Sequence, residues 1–147
     1  MLFMREKRML PIEKVIEDTA VSLLKLAVVQ LPSDVKDALK HAYKEETSEA
    51  GKVQFEAILK DIELAEKENT PLCQDTGIII FYVKAGAKAK GLDKIETALQ
   101  NATRRATKEI PLRPNTVDPF TQKNTGDNTG RYIPYINWEI NQTDAIE

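Results

Sequence analysis

Cysteine occurs once in this chain of 147 residues, at Cys73, within the run Pro-Leu-Cys-Gln-Asp-Thr-Gly at residues 71–77. A thiolate is a soft ligand for zinc and for iron–sulfur clusters, and the neighbouring Gln74 and Asp75 offer oxygen and nitrogen groups that can hold a polar substrate. The alternative for a lone cysteine is a small, buried and inert apolar residue. Because a dense apolar stretch follows the run, we expect a polar turn at the mouth of a buried strand.

A second candidate for binding chemistry is Arg113, which lies in a predicted loop between Pro111 and Pro114. A guanidinium group can hold a carboxylate through two parallel hydrogen bonds, although a loop arginine is more often simply solvated. Asp75 also has two interpretations. It can accept a proton from a substrate group, or it can close an Asx turn by accepting a hydrogen bond from the Gly77 N–H, and both roles can hold together.

Three other kinds of site are disfavoured by the residues around them. His41, the only histidine, is expected on a solvated helix face, which argues against a Cys–His nucleophile pair. Asn124, Asp127 and Asn128 offer oxygen atoms, but the spacing fails the EF-hand pattern and no acidic residue closes the loop, so a structural turn is preferred to calcium. Zinc is disfavoured because partner ligands for the thiolate are lacking.

Hydrophobic periodicity predicts an α+β fold, with a helical N-terminal region packed on a small mixed sheet. The continuous apolar run of the first strand predicts cover on both of its faces. The helical spacing of the fourth helix predicts five inward residues: Ile95, Ala98, Leu99, Ala102 and Ala106. The basic cluster on that helix predicts a solvated surface, with contact to a partner as the lesser alternative; it consists of Arg104, Arg105 and Lys108. Four helices are predicted: the first over 12–30, the second beginning at about residue 33, the third ending at about residue 67, and the fourth over 93–109. The predicted strands are 77–84 and 131–140, and residues 112–130 are predicted to form a loop.

The composition is that of an ordinary single domain, with 41% hydrophobic residues, 30% charged residues and a net charge of −2. This charge gives no indication of a nucleic-acid surface. No apolar run approaches the ~18 residues that span a bilayer, and the first ten residues lack the apolar core of a signal peptide. One cysteine excludes an internal disulfide framework, so we expect a reducing cytoplasm.

Four motifs in order along the chain resemble those of the iron–sulfur hydro-lyases of the class I fumarase and L-tartrate dehydratase alpha-subunit type. A heptapeptide match with three ordered companions is far more specific than any one motif. The resemblance extends over about residues 12–140, and its motifs lie at residues 71–77, 31–35, 112–115 with 118–119, and 124–130.

The resemblance implies a role for each candidate side chain. Cys73 would be a ligand of a [4Fe–4S] cluster, which needs two further cysteines that are not present in this chain. Gln74 and Arg113 would bind substrate, and Asp75 would be catalytic on the hydroxyl side of the reaction. The implied reaction is reversible hydration or dehydration of a small dicarboxylate, with fumarate/malate as the first choice and tartrate as the second.

The resemblance also implies an organisation for the chain. Residues 1–147 are expected to form one domain, the N-terminal portion of a hydro-lyase alpha subunit truncated at its C-terminus. We expect an oligomer with a beta subunit or C-terminal domain that supplies the proton-abstracting base, and an inactive chain without it. The rival hypothesis is a non-catalytic fragment or binding module. The sequence leaves open the substrate, the identity of the base, the oligomeric state and whether the chain end is natural.

Overall fold

The computed structural model describes residues 10–73, 75 and 77–147. The helical N-terminal region and the small sheet make this an α+β fold, which confirms the predicted class. A short 3₁₀ turn, Leu92–Lys94, leads directly into the fourth helix. The elements in chain order are α1 (Ile12–Val29), α2 (Ser33–Glu45), α3 (Glu49–Glu68), β1 (Ile80–Gly86), α4 (Ile95–Glu109) and β2 (Tyr135–Asn141).

The core forms where α4 packs against α1 and against one face of β1. The inward face predicted for α4 is confirmed, because Ala98, Ala102 and Ala106 have no exposed surface and Ile95 and Leu99 are 1% and 4% exposed. Alanine side chains are short, so this face lets the neighbouring backbones approach α4 closely. The packing of α4 therefore sets the spacing of the whole core.

An ion-pair network ties the outer side of α4 to α1, so the prediction of a solvated basic surface is wrong for Arg105. The Arg105 guanidinium contacts Glu17, Asp18 at 2.7 Å and Glu109 at 3.0 Å. Hydrogen bonds from Lys14 and then from Arg105 lower the pKa of Asp18, and the hydrogen bond from Arg105 lowers the pKa of Glu109. The carboxylates of two helices thus share one cation.

β1 and β2 pair in parallel, with Ile80 opposite Tyr135 and Gly86 opposite Asn141. A parallel pair needs a crossover connection, and α4 lies within that crossover. On the other edge of β1, residues 145–147 pair antiparallel: the Glu147 N–H donates to the Lys84 carbonyl at 2.8 Å. The expectation of a small sheet is therefore confirmed, but among the described residues its two strands are parallel and the antiparallel contact is an isolated bridge rather than a further strand of a mixed sheet.

The expectation that β1 is covered on both faces is wrong in the part of the chain that the structure describes. Val83 and Ala85 are buried, whereas Ile80 and Tyr82 on the opposite face are 50% and 79% exposed. β1 also begins at Ile80 rather than at residue 77, because Gly77 adopts a left-handed backbone with φ of 65°. An apolar run alone cannot show which of its faces finds a neighbour.

The strand prediction of 131–140 is also shifted, since β2 begins at Tyr135. The residues just before it form their own turn, in which the Gly130 N–H donates to the Ile133 carbonyl at 3.0 Å. α2 packs mainly on α3 and has no fully buried residue. Among the described residues, none of the helices combines the length and apolar character needed to cross a bilayer.

Leu99→Ala is expected to lower the free energy of unfolding by about 2–5 kcal/mol, because it removes buried methyl groups and leaves a cavity beside α1. Leu64→Ala is a matched control on α3, where the leucine is 44% exposed, and it should change stability by about 1 kcal/mol or less. Urea unfolding followed by circular dichroism measures both. Equal losses for the two variants would contradict the packing of α4.

Candidate functional site

The segment that carries Cys73 is held by hydrogen bonds to two helices. α3 ends at Asn69, which adopts a left-handed conformation with φ of 53°, and the Thr70 N–H then donates to the Ala65 carbonyl at 3.1 Å. Two residues later, the Leu72 N–H donates to the carbonyl of Val28, in the last turn of α1, at 3.0 Å. The backbone before Cys73 is therefore fixed on both sides.

Cys73 itself is exposed, so the interpretation of a buried and inert thiol is wrong. Its Sγ donates to the Asp75 carbonyl at 3.1 Å. The thiol lies at the rim of an open apolar groove of about 490 Å³ between α2 and α3. The groove is lined by Leu31, Leu39, Ala57, Ile58, Asp61, Ile62, Leu72 and Cys73. The only thiol of the chain is thus accessible to a metal or to a partner group.

Asp75 closes the Asx turn that the sequence offered as one of its two possible roles. Its Oδ1 accepts a hydrogen bond from the Gly77 N–H at 3.0 Å, as in an Asx turn. Gly77 has the positive φ that favours glycine, and nothing lies within 4 Å of the place a Cβ would take. The turn role is confirmed and the catalytic role stays a prediction. Gln74, the predicted substrate-binding neighbour, lies outside the described residues.

Arg113 lies on the loop that leaves the core at the end of α4. Ile110 and Leu112 are buried, and Arg113 is the first exposed residue after them. Asn115 links this loop to the Cys73 segment, because its Nδ2 donates to Asp75 Oδ1 at 3.4 Å and to the Gly77 carbonyl at 3.3 Å. The structure therefore brings the loop of Arg113 against the turn of Asp75.

The loop at residues 124–130 holds the Arg113 loop through side-chain hydrogen bonds. Asn128 is 4% exposed, its Oδ1 accepts from the Asn115 N–H at 2.7 Å, and its Nδ2 donates to the Arg113 carbonyl at 3.1 Å. The Asn124 Nδ2 donates to the Pro114 carbonyl at 2.7 Å. Three backbone groups in a row, at residues 113–115, are thus held by asparagine side chains.

The same loop is a structural turn, as the sequence indicated. Asp127 Oδ1 accepts from the Thr129 N–H at 3.0 Å and from its hydroxyl at 2.7 Å. Partial burial raises the pKa of Asp127, but these bonds and the nearby Arg104, at 3.5 Å, outweigh it and lower the pKa overall. The Asp127 carboxylate therefore acts as a charged acceptor that fixes the turn.

Sequence reasoning missed the linking roles of Asn115 and Asn128. Both lie in motifs that carried the resemblance, yet Asn128 was predicted only as part of a structural turn and Asn115 was given no role. One signal was available for Asn128: asparagine tolerates the left-handed conformation, and Asn128 has φ of 57°. Its burial could not be read from the sequence, because an asparagine between polar residues is expected at the surface.

The described residues supply one thiol and no complete metal site. Within residues 10–73, 75 and 77–147 there is no group of three or more His, Cys, Asp or Glu side chains that could hold a metal ion. The exposed Cys73 thiol could supply one ligand of an iron–sulfur cluster, and the other described residues do not complete such a site. His41 is exposed on α2, as expected from the sequence.

Comparison with known proteins identifies relatives over most of the chain. It is 41% identical over 130 residues to a protein named putative L(+)-tartrate dehydratase subunit alpha from Methanocaldococcus jannaschii, covering 87% of this chain and 46% of that protein. It is 40% identical over 111 residues to the L(+)-tartrate dehydratase subunit alpha of Escherichia coli strain K12, covering 76% of this chain and 37% of that subunit.

The chain thus spans less than half the length of the curated relatives it matches. The family model described as fumarate hydratase (Fumerase) matches residues 17–147, which include all of the loops described above. This confirms the resemblance to the N-terminal portion of fumarase and tartrate dehydratase alpha subunits. With a match over nearly its whole length, the chain belongs to the fumarate hydratase (Fumerase) family.

Proposed function

We propose that this chain forms the part of a hydro-lyase that binds a small dicarboxylate and acts on its hydroxyl side. The observation that carries the proposal is the junction made by Asn115, which sets the Asp75 turn against the Arg113 loop, two residues from an exposed thiol. Membership of the fumarate hydratase family supports the reaction class. The proposed reaction adds water across a carbon–carbon double bond, or removes it.

The proposed roles follow from the chemistry of the side chains. Arg113 is exposed and can hold one substrate carboxylate with its planar guanidinium group. The Asp75 carboxylate is oriented by two donors that meet Oδ1. It can accept a proton from the attacking water in the hydration direction and return that proton to the leaving hydroxyl in the dehydration direction. Gln74 is proposed as a second substrate contact. The proton bound to carbon is removed by a base that we assign to other polypeptide.

Cys73 is the proposed cluster ligand of this chain. A [4Fe–4S] cluster, when bound, would supply a Lewis acid to the substrate hydroxyl. Because the chain has one cysteine, two further cysteines must come from a partner or from a longer chain. The relatives are named as alpha subunits, which supports a beta subunit as partner and an oligomeric enzyme. The cytoplasmic location expected from the sequence stays a prediction.

The substrate is proposed as fumarate/malate or tartrate. The family description names fumarate hydratase, whereas the relatives at 40–41% identity are named for L(+)-tartrate. Both substrate pairs present two carboxylates and a hydroxyl or double bond between them, so the Arg113–Asp75 arrangement serves either. The names of the relatives weigh toward tartrate, against the order expected from the sequence, and kinetics on both pairs will decide.

The rival proposal is a binding module or fragment without activity. The specific observation in its favour is the single cysteine, since one thiolate cannot hold a four-iron cluster. This predicts that the chain alone is inactive, which agrees with both proposals. They differ once a polypeptide that supplies the missing cysteines is added, because only the hydro-lyase proposal expects turnover to appear.

The complemented enzyme is this chain combined with a polypeptide that supplies the missing cysteines. Cys73→Ser is expected to abolish cluster retention in the complemented enzyme, because a serine oxygen is a harder and poorer ligand for iron. The variant should change the free energy of unfolding by about 0.5 kcal/mol or less, since the thiol is exposed. Anaerobic reconstitution followed by iron analysis and visible absorbance measures the loss. The chain without its complement is the control and should not load one cluster per chain. A Cys73→Ser enzyme with an intact cluster would remove the ligand assignment.

Asp75→Asn is expected to lower kcat by roughly 10²-fold or more in the complemented enzyme, because the amide cannot take up the proton. Asparagine still accepts the Gly77 N–H and favours the same turn, so the melting temperature should stay close to that of the parent chain. Steady-state kinetics on fumarate, malate and tartrate, with the cluster content measured beside them, test this. An unchanged kcat with a lower melting temperature would leave Asp75 as a turn residue only.

Arg113→Lys is expected to weaken substrate binding by about 1–3 kcal/mol, because lysine keeps the charge and loses the forked pair of donors. Arg131→Lys is the matched control: Arg131 is an exposed arginine whose guanidinium lies 5.2 Å from the Tyr132 ring. The KM for each dicarboxylate should rise only in the first variant. Equal KM values for the parent enzyme and both variants would exclude Arg113 from substrate binding.

A further inference from the structure

Asn128 is a buried amide whose donor and acceptor are both used by the Arg113 loop. It is 4% exposed, and its three hydrogen bonds join the Asn115 N–H at 2.7 Å, the Arg113 carbonyl at 3.1 Å and the Thr107 hydroxyl at 3.2 Å. The opposite orientation of the amide would set its NH₂ against an N–H and its oxygen against a carbonyl. The contacts therefore fix which way the side chain points.

The two backbone bonds lie on either side of Pro114, which has no N–H of its own to donate. They hold the carbonyl before the proline and the N–H after it, so Asn128 clamps the backbone of residues 113–115. The clamp rests on α4, because Thr107 Oγ1 accepts from Asn128 Nδ2 and lies 2.8 Å from the Thr103 carbonyl and 3.1 Å from the Asp127 carbonyl, which can share its one proton. Hydrogen bonds thus link the Arg113 backbone, through Asn128, to α4 in the core.

Asn115 connects this clamped backbone to the Asp75 turn. Its N–H is held by Asn128, and its side chain donates to Asp75 Oδ1 and to the Gly77 carbonyl. One buried amide therefore fixes Arg113 directly, and fixes the Asp75 turn through a single intervening residue. Arg113 and Asp75 are both exposed, so the hydrogen bonds of their backbone and turn are what this link acts on.

We propose that Asn128 is a positioning residue that sets the separation between Arg113 and Asp75, so that both reach one dicarboxylate. The role in catalysis rests on the proposed function, whereas the positional link between the two loops does not. A bound substrate must be held to within a fraction of an ångström for efficient chemistry, and small displacements cost large factors in rate. Without the amide, the Arg113 carbonyl and the Asn115 N–H lose their hydrogen-bond partner at a partly buried place.

Asn128→Gly removes the amide and keeps the backbone free to adopt its left-handed φ of 57°. Asn69→Gly is the matched control, because Asn69 has φ of 53° at the end of α3 and is exposed. In ¹H–¹⁵N spectra of the chain itself, Asn128→Gly should shift the Gly77 N–H and the Asn115 side-chain NH₂ and speed their hydrogen exchange at least several-fold. Asn69→Gly should leave both signals where they are.

The second measurement is made on the complemented enzyme, with Asn128→Gly combined with Arg113→Lys. Asn128→Gly should raise the KM for the dicarboxylate roughly tenfold, and the double variant should be little worse than Arg113→Lys alone, because both changes disable the same contact. A residue that only stabilises the fold would lower the amount of active enzyme and would leave KM unchanged. Asn128→Ser is run beside it, in case loss of the whole side chain prevents folding.

Each result decides a separate question. Unchanged Gly77 and Asn115 signals in a folded Asn128 variant would overturn the positional link, whatever the activity. Changed signals in a chain whose complemented parent form shows no hydro-lyase activity would uphold the link and remove the proposed function. Changed signals with an unchanged KM and an additive double variant would overturn the role of Asn128 in aligning Arg113 with Asp75.

Discussion

The close approach of α4 to α1 is the constraint on which the described structure depends. Three alanines on the inner face of α4 have no exposed surface, and a larger side chain at any of them would push a neighbouring element away. α4 also lies in the crossover that makes β1 and β2 parallel. The helix is followed by the buried Ile110 and Leu112, which start the Arg113 loop at a fixed place.

The candidate site uses a second kind of interaction, because its groups lie on loops with little apolar surface of their own. Amide side chains fix these loops instead, since each amide has both a donor and an acceptor. They can therefore form hydrogen bonds with backbone groups next to a proline, which has no N–H of its own. Asn124 and Asn128 hold the backbone of residues 113–115, and Asn115 passes that position to the Asp75 turn. The exposed groups stay accessible while the backbone beneath them is fixed.

Burial and reactivity are therefore separated in this chain. Cys73, Asp75 and Arg113 are exposed, whereas the residues that place them, such as Val28, Leu112 and Asn128, are buried or partly buried. Such a division is common where a rigid scaffold presents functional loops. It also allows the exposed groups to contact a substrate or other polypeptide without loss of packing in the core.

Sequence periodicity was a good guide where a helix buries one continuous stripe. The inward residues of α4 were predicted one by one, because small and apolar residues recur there at helical spacing and the helix has one covered side. The same reasoning failed for β1, whose apolar residues on the Ile80 and Tyr82 face are exposed. Which face of a strand is covered depends on neighbours that are distant in the chain.

The α+β class and the family resemblance could be predicted from the order of residues alone. The turn at Asp75 was one of two open interpretations, because an aspartate two residues before a glycine can close it without any distant partner. The exposure of Cys73, the link of Arg105 to two helices, and the connection of the Asp75 and Arg113 loops by Asn115 and Asn128 required the three-dimensional structure. These features depend on residues far apart in the chain, which local conformation does not bring together.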